Sequence, residues 1–333
     1  MKKKAFILGL IIIICIASLT ACDRAEQSFV FGTVLDIKAE GVGSNKAIED
    51  IEAYMQSLED LLSPTIEGSD VNKINYSTVG EAVLCSQTTM EIYKIALSVY
   101  EASDGAYDPS VYPLVRIWKF SGDLFNKWEE HTIPTQKQID ETKAVVGLKD
   151  CFVADFENST ITKLKDGAML DFGGVAKGYA VQKSLDMVQK RALVNLGGNI
   201  GAKGKNYAVG IANPARSDRQ YTTSYFAKFT LRNGECVATS GDYERYYTVE
   251  GKVYHHIIDP RTGMPCTTSG ERGVISCSVI STDGAISDAV ATAVVVLGKQ
   301  KGVELLEKLG LKAVVIDGNN GVTTVGDINI EIK

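Results

Sequence analysis

A chain of 333 residues, 45% apolar and 23% charged, is long enough for one large domain or two intimately joined ones, with the composition of an ordinary globular protein. Its formal net charge of −6 leaves no electrostatic footprint for nucleic acid, whose binding rests on Lys and Arg neutralising phosphates. Beyond the N-terminal segment no apolar run approaches the ~20 residues of a membrane span.

Lys2, Lys3 and Lys4 precede an apolar run from Ala5 to Ala17, with Ile11, Ile12, Ile13 and Ile14 at its centre. The run is short for a span and fits the h-region of a secretory signal; an uncleaved anchor helix is the alternative. Leu19-Thr20-Ala21-Cys22 follows, and these four residues resemble the lipobox of bacterial lipoproteins. The resemblance implies a signal peptide over 1–21, cleavage before Cys22, lipidation of its thiol, and retention at the extracytoplasmic face of the cell membrane. Two or three acyl chains anchor durably, since each buried methylene contributes ~0.8 kcal/mol and one chain alone is marginal. Residues 22–30 then read as the lipidated cysteine and a polar tether, with one domain over 31–333. Losing the signal removes three lysines, so the mature chain is more acidic still. Apart from Cys15 and Cys22, five cysteines remain: Cys85, Cys151, Cys236, Cys266 and Cys277. An odd number without C-x-x-C spacing reads as buried thiols with at most an occasional bridge.

Ile48, Ile51, Met55, Leu58 and Leu62 recur at helical spacing and predict an amphipathic helix over 45–62. Thr88 and Glu91 stand in capping-box spacing ahead of Ile92, Ile95, Ala96 and Val99, predicting a second helix that stops at Ser103-Asp104-Gly105. Thr135 and Gln138 repeat that signal before a helix ending near Gly147. A strand over 168–172 leads into a helix from about Ala176 to Lys190. From Leu193 to Ile280, short runs between Gly, Pro and Asn predict strands, among them 207–211, 225–231, 253–258 and 273–280. Two helices follow, 287–297 and 299–309, and a terminal hairpin turns on Asp317-Gly318-Asn319-Asn320-Gly321. Helices and strands in blocks predict an α+β fold, a mainly antiparallel sheet core with packed helices in a single large domain.

Four clusters could carry chemistry. Asp171-Phe172-Gly173-Gly174-Val175-Ala176-Lys177-Gly178-Tyr179 lies where a strand meets a helix, so N–H groups at the helix start can face an anion. Lys177 could reach a phosphate and Asp171 a ligand hydroxyl or ring N–H. The cluster matches neither a Walker loop nor a dinucleotide fingerprint, and its glycines are equally explained by the turn. Asp288 and Thr292 lie four apart on one helix face, a carboxylate and a hydroxyl suited to Mg²⁺. The structural alternative is that Asp288 caps the helix and Thr292 bonds its own backbone. In Tyr254-His255-His256-Ile257-Ile258-Asp259-Pro260-Arg261-Thr262-Gly263 the adjacent histidines face opposite sides of a strand, so one of them could be a general base but they form no paired metal site. The last cluster, Ala238-Thr239-Ser240-Gly241-Asp242-Tyr243-Glu244-Arg245, reads as a polar loop; no G-x-S-x-G elbow surrounds Ser240.

Together these clusters resemble the FAD:protein FMN transferases, also called the ApbE family. The similarity covers essentially the whole chain after the tether. It adds Phe31-Gly32-Thr33, Gly105-Ala106-Tyr107-Asp108-Pro109-Ser110, Trp118, Asn195-Leu196-Gly197-Gly198-Asn199 and Gly298 to the four clusters. The resemblance implies an enzyme that splits the pyrophosphate of its substrate FAD with Mg²⁺, attaches FMN to a threonine (or serine) of an acceptor flavoprotein, and releases AMP. Such chemistry needs charge neutralisation and in-line placement more than covalent help from the protein. Carried over residue by residue, Asp288, Thr292 and the Gly174 carbonyl would hold the metal. Phe31, Ala106, Tyr107, Asp108, Asp171, Lys177 and Ile258 would contact the flavin nucleotide, and His256 would act on the acceptor hydroxyl. Tyr107 stands where many relatives carry phenylalanine, which leaves its hydroxyl unexplained. The acceptors implied are subunits of membrane redox pumps or surface electron-transfer proteins with a Thr-containing target segment. FAD hydrolysis to FMN and AMP, and FAD binding without catalysis, use the same clusters and stay open.

Overall fold

Along Lys312–Gly318 the apolar side chains alternate, Ala313 and Val315 toward one face and Val314 and Ile316 toward the other, so both faces must be covered. In the computed structural model, which describes residues 24–122, 125, 130–214 and 225–333, this strand belongs to an eight-stranded sheet. Its order is Arg24–Val30, Thr33–Glu40, Arg191–Leu196, Asn199–Lys203, Cys236–Gly241, Gly270–Ser281, Lys312–Gly318, Val322–Val325. Every neighbouring pair is antiparallel. Helices Ser44–Leu62, Ala176–Leu185 and Gly284–Leu297 cover one face, and Gln87–Ala102 packs on the last of these. A three-stranded sheet, Ile330–Ile332, Tyr225–Leu231 and Tyr207–Ala212, closes the other face through Val209, Ile211, Phe229 and Leu231. A third cluster, with Tyr112, Trp118, Phe120, Ile139, Tyr247 and Ile258, ties segment 109–147 to the hairpins of 246–265.

The antiparallel α+β architecture is the one expected, and several local expectations change. The segment read as tether is a strand from Arg24 onward, paired residue for residue with Thr33–Ala39; a neighbouring strand supplies order that its polar composition does not announce. Residues 168–172 form no strand. The Asn75 side chain takes a strand neighbour's place, donating to Leu170 O at 2.9 Å and accepting from Leu170 N–H at 2.6 Å. Gln87–Ala102 is capped by Ser86, whose hydroxyl accepts from Thr89 N–H at 3.1 Å, and Glu91 is used elsewhere. The Thr135/Gln138 capping box forms in full, but the helix runs only Gln136–Lys143. Ala176–Leu185 stops short of Lys190. All five described cysteines are free and buried. Among the described residues no helix is long and apolar enough to cross a membrane. Cys22 and the signal segment lie outside the described residues.

Candidate active site

Two helices meet beside the hairpin ends of the main sheet, and their contact builds the site. Gly178 N–H, in the first turn of Ala176–Leu185, donates to Asp288 Oδ2 at 3.0 Å. Lys177 Nζ lies 3.9 Å from the same oxygen and also donates to Gly173 O. The Asn199 side chain lies near enough to favour the charged form of Asp288. Asp288 is 3% exposed, and burial pushes its carboxyl pKa up, opposed by Lys177, the Gly178 N–H and Asn199. Helix Gly284–Leu297 begins earlier than its apolar pattern implies, and Asp283 caps it by accepting from Ile286 N–H at 3.0 Å. Asp288 is therefore not the cap. Thr292 does reach back to Asp288 O at 3.4 Å, and its hydroxyl also meets Ser240 Oγ at 3.0 Å. Ser240 lies on strand Cys236–Gly241, not in a loop.

Gly174 brings the two helices' polar groups to the 106–108 segment. A Cβ at Gly174 would stand 3.3 Å from Tyr107 Cε2 and 3.6 Å from Thr292 Oγ1. Asp171 Oδ1 holds this loop by accepting from Gly173 N–H at 2.8 Å. Ala106 and Tyr107 are buried, and the Tyr107 hydroxyl has no hydrogen-bond partner. Burial first, then the charges of Asp288, Asp171 and Asp108, push its pKa well above the usual 10, so it stays a donor. Asp108 works locally. Its Oδ1 accepts from Ser110 N–H at 2.8 Å and from Ser110 Oγ–H at 2.6 Å, and burial pushes its pKa up to about 6.

The two histidines divide the work. His255 Nδ1 accepts from Ile257 N–H at 3.3 Å, so its Nε2–H donates to Cys266 O at 2.9 Å, a structural bridge. His256 Nδ1 is buried without a partner. Burial, then the charge of Arg245, then His255 hold its pKa well below 6.5, leaving the ring neutral and able to accept a proton. Arg245 donates to Phe120 O at 2.8 Å and feels the charge of Asp171, so the second half of the 238–245 cluster also joins the site.

Phe31 and Ile258 sit differently. Phe31 and Gly32 form the two-residue turn of the first hairpin with φ of 53° and 66°, an unusual backbone for a bulky residue. That turn lies at the same sheet end as Gly197-Gly198, whose Gly197 N–H donates to Val34 O at 3.1 Å. The Phe31 ring packs against the main core, and Ile258 is buried in the third cluster. Tyr179 proves structural, its hydroxyl donating to Glu91 at 2.9 Å. Asn199, Ser240 and Arg245 carried no role in the sequence reading. Their signal was a polar residue flanking a double glycine, and two polar residues beside a turn.

Among the described residues no group of three or more His, Cys, Asp or Glu gathers as a metal cluster. The oxygens present are a carboxylate, a hydroxyl and a backbone carbonyl, the hard donors that Mg²⁺ takes while keeping several waters.

Fold and site together define an α+β protein in which a helix-borne carboxylate and hydroxyl face a glycine loop at one end of an antiparallel sheet. The chain belongs to the ApbE family, whose sequence profile matches residues 31–315. It is 29% identical over 331 residues to the FAD:protein FMN transferase of Salmonella typhimurium, covering 91% of each chain. To the Vibrio cholerae protein of the same name it is 27% identical over 308 residues, 87% of each. The crystal structure of the ApbE protein of Thermotoga maritima superposes with a TM-score of 0.80 at 30% identity, covering 91% of this chain and 97% of that one. The flavin transferase ApbE of Vibrio cholerae shares the fold, with a TM-score of 0.75 at 23% identity and coverage of 92% and 97%.

Proposed function

We propose that this chain transfers the FMN moiety of FAD to a threonine (or serine) hydroxyl of an acceptor flavoprotein, with Mg²⁺ held by Asp288, Thr292 and the Gly174 carbonyl and with AMP released. One observation carries the reading beyond family membership. Three buried polar atoms without a protein partner, Tyr107 Oη, Asn199 Oδ1 and His256 Nδ1, belong to residues of this one site. An unpaired buried polar atom costs about 1–3 kcal/mol, so their grouping favours a polar ligand that supplies the partners.

The donor set fits a hard divalent cation, and bound Mg²⁺ supplies charge neutralisation at the pyrophosphate oxygens. Lys177, beside Asp288, adds positive charge on the same side. Asp171 offers a carboxylate to a ring N–H or hydroxyl, and Tyr107 Oη donates to a nucleotide oxygen. The acceptor hydroxyl oxygen attacks the phosphorus on the FMN side. The bond from that phosphorus to the bridging oxygen breaks, its electron pair leaves with AMP, and the hydroxyl proton passes to His256 Nδ1. A neutral imidazole held below its usual pKa suits that proton.

Incubation with FAD and Mg²⁺, with and without an acceptor carrying a Thr-containing target segment, tests the reading. The expected result is a covalent fluorescent band and AMP only when acceptor is present. AMP and free FMN without acceptor replace transfer by hydrolysis; no AMP in either tube leaves a binding protein.

Lipidation at Cys22 and an extracytoplasmic location belong to the same proposal, supported by the lysine-led apolar run and Leu19-Thr20-Ala21-Cys22. Cys22→Ser is expected to move the protein from the membrane fraction to the soluble one; unchanged fractionation removes the anchor.

A further inference from the structure

We propose that Ser240 is a positioning residue for the metal: its Oγ accepts the hydrogen of the Thr292 hydroxyl and so leaves the lone pairs of Thr292 Oγ1 to the cation. The inference deepens the Mg²⁺ reading above and rests on it.

The strand sets the direction of this side chain. Cys236, Ala238 and Ser240 alternate onto one face of Cys236–Gly241, and Ser240 pairs with Cys277 of the neighbouring strand. Cys236 and Cys277 are buried in the cluster that includes Ala289, Ala293 and Val296 of helix Gly284–Leu297, so Ser240 faces that helix. Its hydroxyl follows a cysteine and an alanine in this row and stands opposite another cysteine. There it meets Thr292 Oγ1 at 3.0 Å, closer than the 3.4 Å from Thr292 to its own helix carbonyl, Asp288 O. Both residues are only part-buried, so a hydrated cation can approach the pair.

The polarity of this one hydrogen bond decides what Thr292 can do. A hydroxyl carries one hydrogen and two lone pairs, and either oxygen of the pair can donate. With Ser240 donating, a lone pair of Thr292 is spent on the protein and its own hydrogen goes to Asp288 O. With Thr292 donating to Ser240, both lone pairs stay available beside Gly174, where a Cβ would stand 3.6 Å from Thr292 Oγ1. A cation repels the hydrogen and attracts the lone pairs, so it selects the second polarity. Without Ser240 the hydrogen keeps only the longer bond back to the helix, in a direction the helix imposes. Outer partners of this sort commonly change metal affinity about 10–100-fold when removed.

The test is Mn²⁺ binding followed by electron paramagnetic resonance on the full chain. Ser240→Ala removes the acceptor, and Ser240→Cys keeps the side-chain shape while offering only weakly accepting sulfur. In both, the Mn²⁺ dissociation constant is expected to rise about 10–100-fold. In a Thr292→Ala background the same substitutions are expected to change it by less than about twofold, because the residue through which Ser240 acts is gone. Unchanged Mn²⁺ affinity in either folded Ser240 variant overturns the inference. A loss that persists in full beside Thr292→Ala also overturns it, because it marks a general disturbance of the sheet. Asp288→Ala separates the two levels. If it loses Mn²⁺ while the Ser240 variants do not, only this inference fails; if it binds Mn²⁺ like the parent, the metal reading fails and the inference falls with it.

Discussion

Gly178 and Gly284 touch backbone to backbone where the two site helices cross, and a Cβ on Gly178 would lie 2.0 Å from Gly284 O and 2.8 Å from Asp288 Cβ. The second contact makes the crossing part of the site. No flexible side chain at the contact can yield, so only the helices can move. Gly178→Ala is expected to cost about 1–3 kcal/mol or more and to break the Gly178 N–H bond to Asp288. Urea unfolding and transfer rate check both; a variant that keeps parent stability and rate contradicts the close crossing.

If Asp288 holds a cation, its charge counts as well as its shape. Asp288→Asn keeps the volume and an oxygen for the Gly178 N–H while removing the negative charge a cation needs. Since a metal contributes several kcal/mol to such a transition state, transfer at ordinary Mg²⁺ is expected to fall on the order of 100-fold or more. Steady-state rates at rising Mg²⁺ report it, and full activity in this variant or in Asp288→Ala removes the ligand assignment.

The pH profile should follow His256 and its neighbour. Burial and the Arg245 charge hold the imidazole pKa well below 6.5, so if His256 takes the acceptor proton, rates are expected to fall only in acid. Arg245→Met removes the nearby charge and is expected to move the acid limb of kcat/KM to higher pH, while Arg245→Lys leaves it near the parent position. An acid limb that does not move in Arg245→Met rules out this coupling.

Asp108 places a different signature on stability. Burial raises its pKa from 3.8 to about 6, so the folded chain holds this proton more tightly than the unfolded one. The resulting stability is fully present below pH 3.8 and is lost as pH rises through about 6, on the order of 2–3 kcal/mol. Asp108→Asn cannot titrate and is expected to flatten the dependence in that window. Urea midpoints across the interval decide, and a parent-like slope in the variant assigns the dependence to other groups.

Tyr107→Phe removes a buried hydroxyl that has no protein partner. If FAD supplies that partner, the variant should fold at least as stably as the parent yet bind FAD about 2–10-fold more weakly, the worth of one hydrogen bond. Equal FAD affinity leaves the hydroxyl without a ligand role.

Much of this was legible in residue order, because local rules govern local structure. The stripe Ile48, Ile51, Met55, Leu58, Leu62 needed one buried face and became helix Ser44–Leu62, with all five buried. Thr135 and Gln138 formed their capping box from neighbours three residues apart. Spacing alone placed Asp288 and Thr292 on one helix face, and the residues of the motifs were sufficient to bring the family to view. Arg24–Val30 became a strand for a reason the polar segment does not contain, a partner at Thr33–Glu40. Residues 168–172 lost their expected strand because a side chain 95 positions away, Asn75, took the backbone bonds of Leu170.

The chemistry divides in the same way. Sequence by itself determined which residue types were available: a carboxylate and a hydroxyl one helical turn apart, a glycine loop, a lysine, two histidines. Only the tertiary structure decided which of the histidines is spent on a backbone carbonyl and which keeps a free nitrogen, and that Asn199, Ser240 and Arg245 complete the site. Burial and approach between distant segments set desolvation, charge coupling and unpaired polar atoms, and none of these is a property of the chain until it folds.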